Sequence, residues 1–428
     1  MNAVLSPTAA RRTFLALTFT RWFPVGLVVG VITLWILERG LTISQALLAF
    51  SLQGIVVFLL ELPTSGFADA FGRRPMLIAS AVVNVIAGVV MILADSFWYF
   101  VVAAALQGVF RALDSGPLEA WYVDTVHVTR PGADVDGTLA VQGTVLGGSI
   151  AAGAVISGGL IAWDPLPAAS ALLVPMLCWA ALNVIHLLAV VVLMKEPSAH
   201  VDATGVRRAA DSAREAPTVI RDGLRLLRSN RVLRCVVLVE VFWTAALVVF
   251  ETFQPIRLAE LVGGEEQAGA LMGPVAAVGW GVFAAGSALA GLGSRRFGVA
   301  RTAIAARILN GLGAVTMGLV AGPIALIAAY LFTYSMHGTG GPMHATLMHR
   351  EASAANRATV LSMGSMVFFA TFSLLGTPLG FLAEATSTQV SMVAAGAFSL
   401  FGAFLYLPAL RAERERAQAP PVADPIPG

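Results

Sequence analysis

Residues 61–75, which read ELPTSGFADAFGRRP, join two long apolar stretches of the chain. Gly72 permits a positive φ where the chain has to reverse direction within a few residues. Arg73 and Arg74 follow it, and basic side chains of this kind anchor membrane helices at the cytoplasmic interface. The stretch therefore predicts a short basic turn between two helices that cross a bilayer.

Long apolar runs of this kind recur along the whole chain. Each comes close to or exceeds the ~20 residues that a helix needs to cross a bilayer, and none shows the period-two alternation of a membrane β-barrel. The first run is longer than the ~7–15-residue core of a cleavable signal peptide. The sequence therefore predicts an all-α integral membrane protein with twelve transmembrane helices. These are expected near residues 13–37, 43–67, 75–95, 97–123, 138–162, 168–194, 232–255, 268–290, 300–320, 323–347, 359–382 and 388–409.

The composition excludes several other classes of protein. Of the 428 residues, 57% are hydrophobic and 12% are charged, whereas about 25% of a soluble domain is charged. With a mean hydropathy of +0.80, these values exclude an ordinary cytosolic enzyme and a disordered chain. A net charge of +2 argues against nucleic-acid binding. Cys178 and Cys235 lie in apolar runs and predict neither a disulfide framework nor a metal site.

Basic residues predict the orientation of the chain. If both termini face the cytoplasm, most of the 27 Lys and Arg residues fall on that side, including a dense group from Lys195 to Arg234. Arg39 and Arg257 then fall on the outer side. This bias follows the positive-inside rule. It predicts a multi-pass protein of the bacterial cytoplasmic (inner) membrane, with the N- and C-termini in the cytoplasm and the lipid bilayer as its surroundings.

A polar, basic segment divides the chain near its middle. Within it, Ile220, Leu224 and Leu227 form one face of a helix and arginines form the next. That pattern fits a helix on an anionic membrane surface, or a solvated helix that only joins two halves. The predicted domains are a six-helix bundle over 1–194, a cytoplasmic linker with an amphipathic helix over 195–231, a second six-helix bundle over 232–410 and a disordered cytoplasmic tail over 411–428.

The basic turn has a weaker counterpart in the second half of the chain, GLGSRRFGVAR at Gly291–Arg301. Aligning Gly72 with Gly298 places each turn after the second span of its half. Two parallel six-span halves are a known plan for membrane transporters. With this repeat, the chain resembles the major facilitator superfamily over essentially its whole length.

Residues 63–75 resemble the signature loop of that superfamily. The matching positions are Asp69, Gly72, Arg73 and Arg74, and the departures from the pattern are Ser65, Phe67 and Ala70. The resemblance is to bacterial drug and metabolite efflux members. It is incomplete there, because Ala104 stands where an Arg is common in span four, and span five is rich in Gly but lacks a Pro.

The resemblance implies a conformational gate at this loop, formed by Asp69, Gly72, Arg73, Arg74 and Asp124. Asp124 is expected near the cytoplasmic end of span four, where it can pair with Arg73. In the superfamily such pairs help to hold the outward-open state. Simple anchoring of the topology is the alternative reading of these charges.

Ionisable side chains inside the predicted spans indicate a functional cavity. A charge near the bilayer centre costs at least ~2.5–3.5 kcal/mol, and spans one, four, seven and ten line the cavity in the superfamily. The candidate proton-coupling and cavity residues are Asp114, Glu240, Glu119, Arg111, Arg21, Glu251 and His337. Arg111 and Asp114 are three residues apart and can neutralise each other. The alternatives are that Arg111 and Asp114 form a purely structural pair, that Glu251 is solvated at the outer interface, and that His337 is a buried histidine whose hydrogen bonds are satisfied within the protein.

Aromatic and polar residues on the same spans predict the character of the substrate. The expected cavity lining consists of Trp121, Phe242, Trp243, Thr244 and Tyr334. Aromatic rings favour a small hydrophobic molecule, including a cationic one. His337, His344 and His349 have spacings that cannot converge on one metal ion along a helix, so no metal and no cofactor are expected.

These features predict a secondary active transporter and not an enzyme. It would move a small hydrophobic molecule by alternating access, in proton-coupled efflux, with the proton carried by Asp114, Glu240 or Glu119. Proton-coupled uptake by symport is the alternative, and a non-transporting membrane sensor or assembly protein is a further one. Partners are then a small-molecule substrate, a proton and lipid, without nucleic acid. A monomer is expected because members of the superfamily often are monomers.

Overall fold

The computed structural model of the protein describes residues 5–195, 218, 220–353 and 356–418, and within these ranges every regular element is helical. The spans of the first half are one (Pro7–Val28 and Val31–Glu38), two (Ile43–Phe71), three (Arg73–Leu93), four (Phe97–Asp114 and Pro117–Thr129), five (Asp136–Trp163) and six (Leu173–Leu193). Those of the second half are seven (Arg231–Leu247, the π-helical Val248–Phe253 and Gln254–Val262), eight (Glu265–Phe297), nine (Val299–Leu319), ten (Pro323–Glu351), eleven (Arg357–Ala385) and twelve (Thr388–Leu400, the 3₁₀-helical Phe401–Tyr406 and Leu407–Gln418).

The described helices confirm the expected fold class. Ten of them are long and apolar enough to cross a membrane, and span one, bent by 44° between its two helices, gives an eleventh. Span ten, with 29 residues, is long enough but is more polar, because Tyr, Thr, Gly and His residues interrupt its apolar sequence. The twelve spans therefore form the all-α membrane architecture that the sequence predicts.

The two halves meet along two pairs of spans. Span two packs along span eleven, and span five packs along span eight. Gly158 and Gly273 make the second contact close: a Cβ on Gly158 would lie 2.7 Å from Ala270 O and 3.0 Å from Gly273 Cα. Small residues let membrane helices approach each other in this way.

Three hydrophobic cores show where the two halves are in contact. The helix bundle has two ends: the one that carries Pro7, Gly72 and Gln418 is called the terminal face, and the one that carries Gly40 and Gly263 is called the far face. Near the far face, one core contains residues of both halves, such as Trp35 of span one, Phe250 of span seven and Met272 of span eight. Near the terminal face each half has a core of its own. The halves are thus joined at the far face and separate at the terminal face.

Two carboxylates reinforce the joint at the far face. Glu384 of span eleven accepts hydrogen bonds from Ser44 N (2.7 Å) and Ser44 Oγ (3.0 Å) at the start of span two. Glu266 of span eight accepts one from Ala171 N (2.9 Å), just before span six. All three bonds cross from one half to the other, and two of them satisfy a backbone N–H at or before the start of a helix.

The carboxyl-terminal tail departs from the expectation of disorder over 411–428. Span twelve continues as a helix to Gln418. Glu413 accepts hydrogen bonds from Val299 N (3.0 Å) and Ala300 N (2.9 Å) at the start of span nine, and Arg350 Nη1 lies 2.9 Å from Glu413 Oε1. These contacts hold a segment whose composition alone indicates a flexible tail. Residues 419–428 lie outside the described part of the chain.

The linker is described only in its last part, because residues 196–217 and 219 lie outside the described ranges. Residues 220–229 are helical. Gly223 faces span eleven, where a Cβ would lie 2.8 Å from Met363 Sδ, and Leu227 packs on the core of the second half. Leu224, expected on the same face as Leu227, is 45% exposed. Gly223 is the residue of this helix that packs against Met363.

The close contact of spans five and eight yields a test of the arrangement. Gly158→Ile should hold the halves apart at the far face, because its Cβ has no room beside Ala270. The expected result is a longer distance between spin labels at Trp163→Cys and Glu265→Cys, measured by pulsed electron paramagnetic resonance in a background without native cysteines.

The neighbouring glycine provides the control. A Cβ on Gly159 meets no described atom within 4 Å, so Gly159→Ile should leave the label distance unchanged. An unchanged distance in Gly158→Ile as well would show that this contact does not hold the far face together.

Candidate functional site

A cavity of about 830 Å³ lies between the two halves. Its lining comes from spans one to seven and span eleven, without a contribution from span ten. Because the hydrophobic core shared by the halves lies near the far face and their cores near the terminal face are separate, the cavity opens toward the terminal face. Its charged and amide-bearing lining residues are Arg21, Gln53, Glu61, Asn84, Gln107, Arg111, Asp114, Glu119, Gln142 and Glu251.

An ion pair between spans one and four lies in this cavity. Arg21 Nε is 2.7 Å from Asp114 Oδ2, and the two side chains are 9% and 16% exposed. The guanidinium also lies over the rings of Trp22 (4.7 Å) and Phe110 (4.4 Å). The pair thus combines charge neutralisation with cation–π contacts, which a desolvated Arg favours.

Arg111 and Asp114, predicted to neutralise each other, are not within ion-pair distance, although the Asp114 carboxylate still acts on the charge of Arg111. The first helix of span four ends at Asp114, because Ser115 is extended and Gly116 has φ 91°. The carboxylate at this helix end meets Arg21 of span one. Arg111 instead faces span eleven, with its Cζ 5.6 Å from the centre of the Phe369 ring.

Glu61 is a site residue that the sequence analysis did not single out. The predicted span 43–67 already contained it, but only the structure shows that its side chain lies in the cavity wall. Ser365 Oγ of span eleven donates a hydrogen bond to Glu61 Oε1 (3.1 Å). The criterion applied to the other acids, a single charged residue within a predicted span, could also have identified Glu61.

Two further predicted acids lie in the cavity wall. Glu119, in the first turn of the second helix of span four, accepts a hydrogen bond from Gln142 of span five. Glu251 lies on the π-helical segment of span seven, beside Tyr334 of span ten. Glu251 therefore faces the cavity and not the outer interface. A π-helical turn often occurs at a functional position.

Glu240 belongs to a different polar cluster, inside the second half. His344 Nε2 lies 2.9 Å from Glu240 Oε1, and His344 Nδ1 lies 2.7 Å from the Tyr406 hydroxyl. Arg307 is nearby, with its Cζ 4.7 Å above the Trp243 ring. Glu240 is not among the residues that line the cavity.

None of the five predicted lining residues is among the described residues of the cavity wall, because those side chains pack within one half. Trp121 is buried and donates a hydrogen bond to Lys195 O (3.0 Å). Phe242 stacks on Phe398 (4.8 Å), and Trp243 stacks on His337 (5.2 Å). Phe242, Trp243, Thr244, Tyr334 and His337 are likewise absent from the described lining. The aromatic residues that do line the cavity are Trp22, Phe50, Phe110, Trp179, Phe368, Phe369 and Phe372.

The basic turn after span two has the expected backbone and contact. Gly72 has φ 94°, and Arg73 Nη2 lies 3.5 Å from Asp124 Oδ2. Arg74 Nη2 donates a hydrogen bond to Val191 O (2.8 Å). Asp69 lies on the last turns of span two, and its side chain is outside the described part of the chain. The role of this turn as a gate stays a prediction.

The sequence matches a model of a known protein family over most of its length. The model described as Major Facilitator Superfamily matches residues 14–377. The chain belongs to the major facilitator superfamily. It is therefore a multi-pass membrane protein of a transporter family, and not an enzyme. No curated protein matches the sequence significantly.

Solved structures of other transporters have the same fold as this chain. The nucleoside transporter NupG has a TM-score of 0.74 at 12% identity, covering 94% of this chain and 99% of that one. A peptide transporter POT in complex with sulfate also has 0.74, at 13% identity and 95% coverage of both chains. At these identities the likeness shows the major facilitator fold alone.

The ion pair between spans one and four yields a stability test. Removing one partner of a buried pair leaves an uncompensated charge, so Arg21→Gln or Asp114→Asn should each lower the free energy of unfolding by about 3–5 kcal/mol. The double variant should lose less than the sum of the two. Denaturant unfolding of the purified protein in micelles measures these values.

The control is Arg39→Gln, which removes a guanidinium stacked 4.0 Å from Trp35 at the far face. Loss of an exposed cation–π contact should cost about 0.5–1 kcal/mol. Strictly additive losses in the Arg21 and Asp114 variants would show that the two side chains do not stabilise each other.

Proposed function

We propose that this major facilitator protein exports a small, largely hydrophobic molecule in exchange for protons. The observation that carries the proposal is the cavity itself, which lies between two halves that are joined at one face and separate at the other. Rocking of the halves around such a site gives each side of the membrane access in turn. The aromatic lining fits a substrate with an apolar body.

The Arg21–Asp114 pair is the first candidate for proton coupling. A proton that binds the Asp114 carboxylate removes its charge and leaves Arg21 without its ionic partner. The same side chains lie in the substrate cavity, so substrate and proton act on one set of charges. Occupation by one then changes the affinity for the other, which is the requirement for coupled exchange.

Glu240 is the second candidate, and Glu119 the third. Glu240 lies beside His344 and Tyr406 in the second half, away from the cavity wall, so it would act on the movement of that half and not on the substrate directly. Glu119 lies in the cavity wall with Gln142, near the terminal face.

Transport by variants tests the coupling. A panel of toxic compounds, applied to cells with and without the protein, first identifies an exported compound. In vesicles with an imposed proton gradient, Asp114→Asn and Glu240→Gln should then abolish uphill transport of that compound, because neither side chain can exchange a proton.

Asp95→Asn, in the exposed loop between spans three and four, is the matched control and should transport normally. Full transport by both Asp114→Asn and Glu240→Gln would contradict the coupling assignment. Accumulation of the compound with inward proton flow would instead favour uptake by symport.

We also propose that the terminal face is the cytoplasmic one, in the inner membrane of a bacterium, with the protein acting as a monomer. In a background without native cysteines, Arg73→Cys and Arg295→Cys should be protected from a membrane-impermeant maleimide added to intact cells. Arg39→Cys should react, because it lies at the far face. Opposite labelling of Arg73→Cys and Arg295→Cys would contradict the two-fold plan on which the transport proposal depends.

A further inference from the structure

In the described part of the chain, Arg111 lines the cavity without a close ionic partner. Among the described residues its guanidinium makes no hydrogen bond and no ion pair within 4.0 Å, and Asp114 and Glu61 act on its charge only from longer distances. Its described contact is with the face of Phe369, at 5.6 Å. An ionisable group at membrane depth normally has a partner or a function, because its burial is costly.

The other polar groups around Arg111 already have protein partners. Asp114 is paired with Arg21, and Glu119 accepts a hydrogen bond from Gln142. Gln107 Nε2 donates to Asn84 Oδ1 (3.0 Å). Arg111 thus offers the cavity a set of N–H donors that no described side chain uses.

Glu61 lies close enough to Arg111 to interact with its charge, but it is not within ion-pair distance. One of its oxygens accepts the hydrogen bond from Ser365 of span eleven. Glu251 lies beside Tyr334 in the wall formed by span seven. Because Arg111 lines the open cavity, an anionic group within that cavity can reach its guanidinium.

The chemistry of the guanidinium indicates what it would bind. Its planar fork matches a carboxylate in a bidentate geometry. Phe369 lies against it, and Phe110, Phe368 and Phe372 line the same cavity. A volume of about 830 Å³ falls in the range of about 300–1,000 Å³ that is usual for small-molecule sites.

We propose that Arg111 binds the carboxylate of an amphipathic organic anion whose aromatic or alkyl body lies against the phenylalanines of spans four and eleven. This inference rests on the proposed function, since it takes the cavity as the substrate site, and it narrows the substrate class from hydrophobic molecules in general to organic acids. Glu61 opposes the anion by repulsion, so it weakens the binding that Arg111 provides.

Matched probes test this selectivity without any transport measurement. The probes are phenylbutyrate and naphthylacetate, each compared with the primary amide and the amine on the same body. The purified full chain in detergent is expected to unfold at a higher temperature with the two carboxylates than with the amides or the amines.

Variants then assign the selectivity to one residue. Arg111→Gln should abolish the shift caused by the carboxylates, Arg111→Lys should retain part of it, and Glu61→Gln should enlarge it. Arg39→Gln, which removes an arginine outside the cavity, should leave it unchanged.

Three results would overturn the proposal: no shift with any carboxylate, an equal or larger shift with the amines, or a carboxylate shift that persists in Arg111→Gln. If Arg111→Gln does not fold, the comparison of probes on the wild type and on Arg111→Lys decides. Because binding at equilibrium needs no proton gradient, these outcomes are separate from a failure of proton-coupled transport in vesicles.

Discussion

The close approach of span five to span eight, at Gly158 and Gly273, is the contact on which the rest of the structure depends. It lets the two halves share one hydrophobic core near the far face. Because the terminal ends of the same halves have separate cores, the space between them becomes a cavity with a closed end.

The ionisable side chains inside the membrane form two groups, which differ in the helices that carry them. Asp114 lies where span four breaks, and Arg21 reaches it from span one. Glu240, by contrast, is enclosed within the second half together with His344 and Tyr406. The protein thus holds two separate polar groups, one between the halves and one inside a half, and a movement of the halves affects them differently.

Much of the fold could be predicted from the sequence. The length of each apolar run determines a span, and the basic residues beside it indicate the side of the membrane on which it ends. The basic turn at Gly72 and the contact of Arg73 with Asp124 were both predictable. Side-chain partners on different helices could not be predicted in this way. The spacing of Arg111 and Asp114 along one helix is visible in the sequence, but the approach of Arg21 depends on packing. The sequence likewise placed Trp243 in the cavity lining, whereas its ring stacks on His337 inside the second half.

The π-helical segment Val248–Phe253 makes span seven wider than an α-helix for one turn. A π-bulge corresponds to one extra residue in an α-helix, and each α-helical residue turns the chain by about 100°. Conversion of this segment to regular α geometry would therefore rotate one part of span seven against the other. The direction in which Glu251 points around the axis of span seven therefore depends on this one-residue difference in backbone register.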